Sequence, residues 1–286
     1  TVESAYVLEK DRDMGRLGIE NPQLQVGLAE LAESIQEQGA RAFLQLNHRG
    51  SVLSIHRGKG PDELSREEIE SIIEVFAEAA LRAERAGFDG VEIHGANIYL
   101  ISQFLSPLTN HRTDRYGGDL EGRLNFPVEI LHRMRKKVGE EFPITFRMVG
   151  HQYTDGGLVL EDGKIIAQRL EQAGASALHV VAGSPAAPYW HTPPMAIPRG
   201  CHAELAGEIK KAVRIPVIAV GRINDPLLAE QILEEGKADL IAMGRALIAD
   251  PALPLKAREG RFGEIRKCLA CNHCRKRVIQ MNRTLR

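Results

Sequence analysis

In this 286-residue chain the densest group of chemistry-bearing side chains is His94, Asn97 and Tyr99, in the string His94-Gly95-Ala96-Asn97-Ile98-Tyr99-Leu100. They stand at and just past an apolar run, residues 90–94 (GVEIH). A His and an Asn spaced by three can point to one side of a turn and converge on a single oxygen. A phenol two residues on is neutral near pH 7 and can give up a proton. One histidine in such a place is ordinarily structural. Three such groups together point to a site that binds an oxygen and moves a proton.

Other polar residues interrupt apolar runs elsewhere. Gln45 lies in residues 42–46 (AFLQL), and a buried amide needs partners. Backbone groups could supply them, and so could a flavin ring with its alternating donors and acceptors. Arg147 sits in Thr145-Phe146-Arg147-Met148, where a cation is costly unless it meets a carboxylate or an anionic ligand. Glu92, on a neighbouring strand, is the plain alternative to a ligand. Two later runs end in Gly221-Arg222 and Gly244-Arg245. Glycines at corresponding strand ends let backbone N–H groups approach an anion at a helix start, and Arg222 and Arg245 add forked donors. That is the phosphate site of a barrel enzyme.

Three of the four cysteines, Cys268, Cys271 and Cys274, fall within seven residues. Such spacing makes poor disulfides and good metal ligands, and it points to a reducing, cytoplasmic compartment. Thiolates spaced by two can wrap a corner of an iron–sulfur cluster when the turn directs the sulfurs inward. Zinc held by Cys268, Cys271, His273 and Cys274 is the competing assignment. Cys201 reads as an ordinary thiol.

These residues need a scaffold. With 37 Lys plus Arg against 38 Asp plus Glu, the net charge of -1 argues against nucleic acid or a membrane surface as the main partner. The longest apolar runs, such as Leu240 to Met243, are too short to cross a bilayer, and no basic-then-apolar leader opens the chain. Six short apolar runs are expected as strands: residues 42–46, 90–94, 144–148, 177–182, 216–220 and 238–243. Helical stretches follow them. The first, residues 65–86, opens with a capping box of Ser65 and Glu68, carries Ile69, Ile72, Ile73 and Phe76 on one stripe, and closes at Gly87.

Apolar strands alternating with helices imply a parallel sheet covered on its outer side. An open dinucleotide-binding sheet should show a G-x-G-x-x-G turn, which is absent. The expectation is an α/β protein, a (β/α)8 TIM barrel without its first one or two strands. The chain opens on Thr1 rather than Met and closes, at Asn282 to Arg286, in an unfinished cysteine motif. It is therefore expected to be an excerpt. Residues 1–262 would form the barrel, and residues 263–286 the start of an iron–sulfur segment.

Together these residues resemble the old yellow enzyme family of FMN oxidoreductases. The likeness is carried by the string from His94 to Leu100, by Gln103-Phe104-Leu105-Ser106-Pro107, and by Asn110-His111-Arg112-Thr113-Asp114-Arg115-Tyr116-Gly117-Gly118 with Arg123. The ending Ala238-Asp239-Leu240-Ile241-Ala242-Met243-Gly244-Arg245-Ala246-Leu247, followed by Asp250-Pro251, adds to it. Cys268-Leu269-Ala270-Cys271-Asn272-His273-Cys274 is similar to the iron–sulfur branch that includes 2,4-dienoyl-CoA reductases, 2-enoate reductases and trimethylamine dehydrogenases.

The resemblance implies that Gln45 and Arg147 contact the flavin, and that Gly221, Gly244 and Arg245 hold the FMN phosphate, with Arg222 beside them. His94 and Asn97 would bind the substrate carbonyl oxygen and Tyr99 would deliver the proton. His191, in the Tyr189-Trp190-His191 loop, would be a second proton relay. It also implies a 4Fe–4S cluster on Cys268, Cys271 and Cys274, and FAD and NAD(P)H on a further C-terminal module. The substrate would be a small unsaturated carbonyl compound, and an oligomer is compatible with this reading. Amine oxidation by the same barrel, and a subunit that only relays electrons, are the alternatives.

Overall fold

Strands with apolar residues at every second position build the sheet, because successive side chains leave a strand on opposite faces. The computed structural model describes residues 1–11, 17–51 and 58–276. Residues 277–286, the end of the expected iron–sulfur segment, lie outside them.

In chain order come β1 (Val2–Tyr6), α1 (Gln25–Gln36), β2 (Phe43–Asn47), α2 (Arg66–Arg85), β3 (Gly90–Gly95), α3 (Leu100–Leu105) and α4 (Leu120–Val138). They are followed by β4 (Ile144–His151), α5 (Leu160–Gln172), β5 (Ala177–Ala182), α6 (Pro188–His191), α7 (Ala203–Lys210) and β6 (Val217–Ala219). The last are α8 (Pro226–Glu234), β7 (Leu240–Ile241), α9 (Arg245–Ala249) and α10 (Leu253–Arg258).

The strands form one curled sheet in the order β1 to β7, each pairing in parallel with the next. This is the arrangement of a partial (β/α) barrel. Among the described residues it has seven strands, one more than the sequence pattern predicts. The additional one, VESAY, is short, mixes polar with apolar residues, and becomes a strand only by pairing with β2. The last strand is shorter than its apolar run suggests, two residues with Leu240 half exposed.

The outer face of the sheet is apolar. Leu44, Leu46, Val91, Ile93, Phe146, Met148, Leu178 and Val180 are fully buried in one core with Ile69 and Phe76 of α2 and Leu131 of α4. Each such side chain contributes about 1.5–3 kcal/mol by leaving water. The starts of alternate strands are pinned by polar groups. Ala42 N–H donates to Asp89 Oδ2 at 2.8 Å, Ile144 N–H to Ser176 Oγ at 3.0 Å, and Val217 N–H to Asp239 Oδ2 at 2.9 Å. Each anchor lies just before or near the start of the next strand, so the register of a pair is fixed at its base.

The inner face is different. Gln45 pairs across the sheet with Glu92, and Glu92 with Thr145. Two residues further on, His94 pairs with Arg147 and Arg147 with His179. By the two-residue alternation these side chains share one face with Asn47. A barrel interior is ordinarily filled with branched apolar residues. Here it is a polar wall.

Candidate active site

The middles of β2 to β5 and the loops just beyond the strand ends supply the site residues. His94 is buried, and its ring lies against that of Tyr99, with centroids 4.1 Å apart at 46°. Burial, with Arg147 nearby, holds the imidazole well below its ordinary range. Nδ1 accepts the Ala96 N–H at 3.4 Å. A neutral ring with Nδ1 accepting carries its proton on Nε2, which makes it a neutral donor for an oxygen.

Asn97 sits in the left-handed region at φ 62°, and its Oδ1 is buried without a hydrogen-bond partner. Its backbone is held because Ser102 Oγ donates to Asn97 O at 3.2 Å while Gln103 Nε2 donates to Ile98 O at 2.7 Å. Five non-glycine residues have positive φ among the described residues: Asn97, Tyr153, Arg222, Ala270 and Asn272. All lie in loops beyond strand ends or in the cysteine string. Such conformations cost roughly 1–3 kcal/mol each and concentrate where function demands them. The rings of His94 and Tyr99 are thus in contact, and Asn97 lies in the turn between them.

Gln45 is satisfied neither by backbone nor by an external group alone. Its Nε2 donates to Glu92 Oε1 at 2.5 Å, and Glu92 Oε2 also receives His179 Nδ1 at 2.9 Å. Glu92 is thus not the ion-pair partner of Arg147 that the sequence allows. Arg147 keeps a buried Nε without a partner, and burial lowers its pKa from the ordinary guanidinium value. His179 Nε2 is a further buried atom with no partner.

Gly221 has φ 117°, and a Cβ there would stand 2.9 Å from His202 Cγ and 3.1 Å from Cys201 Sγ. Only glycine admits that close approach. Gly244, at the adjacent strand end, is exposed and caps α9. The arginines beside them are engaged: Arg222 Nη1 donates to Met195 O at 2.9 Å and Arg245 Nη1 to Pro193 O at 2.8 Å. Arg222 Nε remains buried and unpartnered.

His191 ends α6 in the loop after β5, which closes over Gly183; a Cβ on Gly183 would meet His191 N at 2.5 Å. Burial, then the charges of Arg275 and Arg147, push its imidazole down to about 4. Near it Tyr153 is stacked between His151, at 4.2 Å, and Trp190, at 4.4 Å.

The cysteine string is fastened to the barrel. Asn224 Nδ2 donates to Cys268 O at 2.7 Å, Asn272 Oδ1 accepts from Arg245 Nη1 at 2.5 Å, and Asn272 Nδ2 donates to Thr192 O at 3.1 Å. Cys271 is exposed, and Cys268 and Cys274 are half-buried. Among the described residues no group of three or more His, Cys, Asp or Glu side chains is gathered so as to hold a metal ion. The three thiols are thus not gathered around a metal position in this structure.

His179, Glu92 and His202 line this region; the sequence pattern names only Glu92, and only as a partner for Arg147. The first two carry a legible signal, since they continue the alternation that places Gln45 and Arg147 inward. His202 has none; it is set by the loop that folds over Gly221.

Parallel strands with a polar inner face, followed by glycines after the last two strands, define a partial (β/α) barrel. The NADH:flavin oxidoreductase / NADH oxidase family matches residues 54–264. The chain belongs to that family, the old yellow enzyme family, on the branch indicated by its cysteine string. It is 46% identical over 274 residues to an NADH oxidase of Thermoanaerobacter brockii, covering 90% of this chain and 42% of that protein. It is 36% identical over 275 residues to a cinnamate reductase of Clostridium sporogenes, covering 85% and 41%. A solved 2-naphthoyl-CoA reductase superposes with a TM-score of 0.93 at 31% identity, over 99% of this chain and 48% of that one. The chain thus spans less than half the length of each.

The family implies FMN. The wall fits it: a heterocycle with ring N–H and C=O groups would meet the orphaned Arg147 Nε and His179 Nε2, and the Gly221 cradle has no room for a side chain.

Proposed function

We propose that the protein is an FMN-dependent ene-reductase acting on an activated C=C bond of an enoate, dienoyl or enone compound. The observation that carries this is the neutral His94 donor, with Asn97 and the Tyr99 ring beside it, next to a wall of unpartnered polar atoms. The relatives named as cinnamate and naphthoyl-CoA reductases support a conjugated acyl substrate. FMN, when bound, supplies hydride for addition at the β-carbon. Gln45, Arg147 and His179 would hold its ring, and Gly221, Arg222, Gly244 and Arg245 its phosphate.

The chain's own residues do the rest. His94 and Asn97 donate to the carbonyl oxygen as negative charge builds on it. Tyr99 gives its proton to the α-carbon, and His191 stands as a second relay. The seven strands read as part of an eight-stranded barrel. The reading also carries a 4Fe–4S cluster that Cys268, Cys271 and Cys274 would hold, and FAD and NAD(P)H on a further module.

The test is Tyr99→Phe in the full-length enzyme. Reoxidation of the reduced flavin by an enone should slow about 100-fold or more, with flavin reduction unaffected. Unchanged reoxidation removes Tyr99 from the mechanism. Turnover of an amine with an acceptor and none of an enone would instead establish the amine-oxidising alternative. Flavin absorbance with neither would leave electron relay.

A further inference from the structure

We propose that Glu92 is the positioning residue of the cofactor-facing wall: one buried carboxylate fixes how Gln45 and His179 are turned, and so which donors and acceptors the wall offers a ring. His179 is thereby assigned to the site. The inference rests on the flavin reading above, and extends it to residues that touch no reacting atom.

Glu92 is 2% exposed, in the middle of β3. A buried carboxylate needs both oxygens occupied and its charge compensated. Both oxygens are used, one by the Gln45 amide at 2.5 Å and the other by His179 Nδ1 at 2.9 Å. Burial pushes its pKa upward. The charge and the hydrogen bond of His179, then the charge of Arg147 and the Gln45 bond, outweigh burial and bring the group down to about 2. Glu92 is therefore anionic at neutral pH and can only accept.

That state dictates the neighbours. Gln45 must turn its NH2 group toward Glu92, which leaves Oε1 as an outward acceptor. His179 must carry a proton on Nδ1, which leaves Nε2 as the buried atom without a partner. Arg147, the cross-strand neighbour of both His94 and His179, has a donor to spare at Nε. The wall thus offers the Gln45 oxygen and an unpartnered His179 ring nitrogen beside a cationic donor, facing a ring edge that alternates N–H with C=O. Without the carboxylate the Gln45 amide is free to flip and the His179 tautomer to change. The wall also gains one positive charge, which favours an anionic, reduced ring.

The experiment uses the full-length protein as wild type and Glu92→Gln, an isostere that removes the charge and keeps the volume. In the FMN-loaded proteins the reduced-to-oxidised ratio at a fixed potential should rise at least tenfold, about 30 mV for a two-electron couple. The dissociation constant of oxidised FMN should weaken by a similar factor. Values within threefold of wild type for both overturn the proposal. In the cofactor-free proteins, the His179 Nδ1–H signal in nitrogen-15 NMR should be present in wild type and lost in Glu92→Gln. Its retention also overturns the proposal, even if the wild type binds no FMN and the flavin reading itself fails. Should Glu92→Gln not fold, His179→Gln removes one of the two bonds and should shift FMN affinity and potential measurably. No shift in either refutes the role.

Discussion

Replacing His94 with Phe isolates one hydrogen bond. The ring stays against Tyr99, whose centroid lies 4.1 Å away, and the site remains closed to water at a position only 4% exposed. What is lost is a neutral Nε2–H donor and an acceptor for Ala96 N–H at a long 3.4 Å. The second loss costs folding roughly 0.5–1 kcal/mol, the worth of one ordinary hydrogen bond. The first removes a donor aimed at developing oxyanion charge, worth about 100–1000-fold in rate, or ~2.7–4 kcal/mol of barrier. The two effects are therefore separable. The assay is rapid mixing of the reduced full-length enzyme with an enone, with a thermal melt of the same preparation. Because burial holds His94 well below its ordinary range, the donor is neutral at pH 7 and above, and the assay is run there. A His94→Phe rate within threefold of wild type, with an unchanged melt, would refute the assignment of His94 as oxygen donor.

Gly221→Ala should destabilise the fold by about 1–3 kcal/mol, from φ 117° and the contact with His202. His202→Ala in the same chain should return the part due to contact, and a neutral Gly221→Ala in urea unfolding would contradict the cradle. His202 also predicts a pH effect. Burial chiefly pushes its imidazole down to about 4, below the unfolded value, so the unfolded chain takes up the proton first. Stability should then be lost as pH falls from about 6.5 toward 4, by ~2 kcal/mol at pH 5. Urea unfolding at pH 7 and pH 5 should show a smaller difference in His202→Phe; an equal difference refutes the attribution. Iron and acid-labile sulfide should be lost from the full-length protein with Cys271→Ser. Equal content in wild type and variant would exclude Cys271 as a ligand.

The alternation of apolar runs and amphipathic stretches foretold the parallel α/β architecture, and the string from His94 to Tyr99 foretold the contact of those two rings. Both are local patterns: a strand's faces follow from its own residues, and a tight turn brings neighbours three and five apart together. Gly221 was legible in the same way, since its φ of 117° leaves few choices; Gly244, at φ -97°, is under no such constraint.

Tertiary structure decided the partners. VESAY is a strand because β2 lies beside it, and five residues of mixed polarity hold no such information alone. Glu92 could have paired with Arg147; the register puts Gln45 opposite it and His179 within 2.9 Å, and that choice belongs to three strands at once. Asn272 bonds Arg245 from 27 residues away. The sequence determined which groups face inward. Only the pairing of strands and the return of distant loops determined which donor meets which acceptor, because hydrogen bonds are set by angstrom-scale approach between segments whose separation no local pattern encodes.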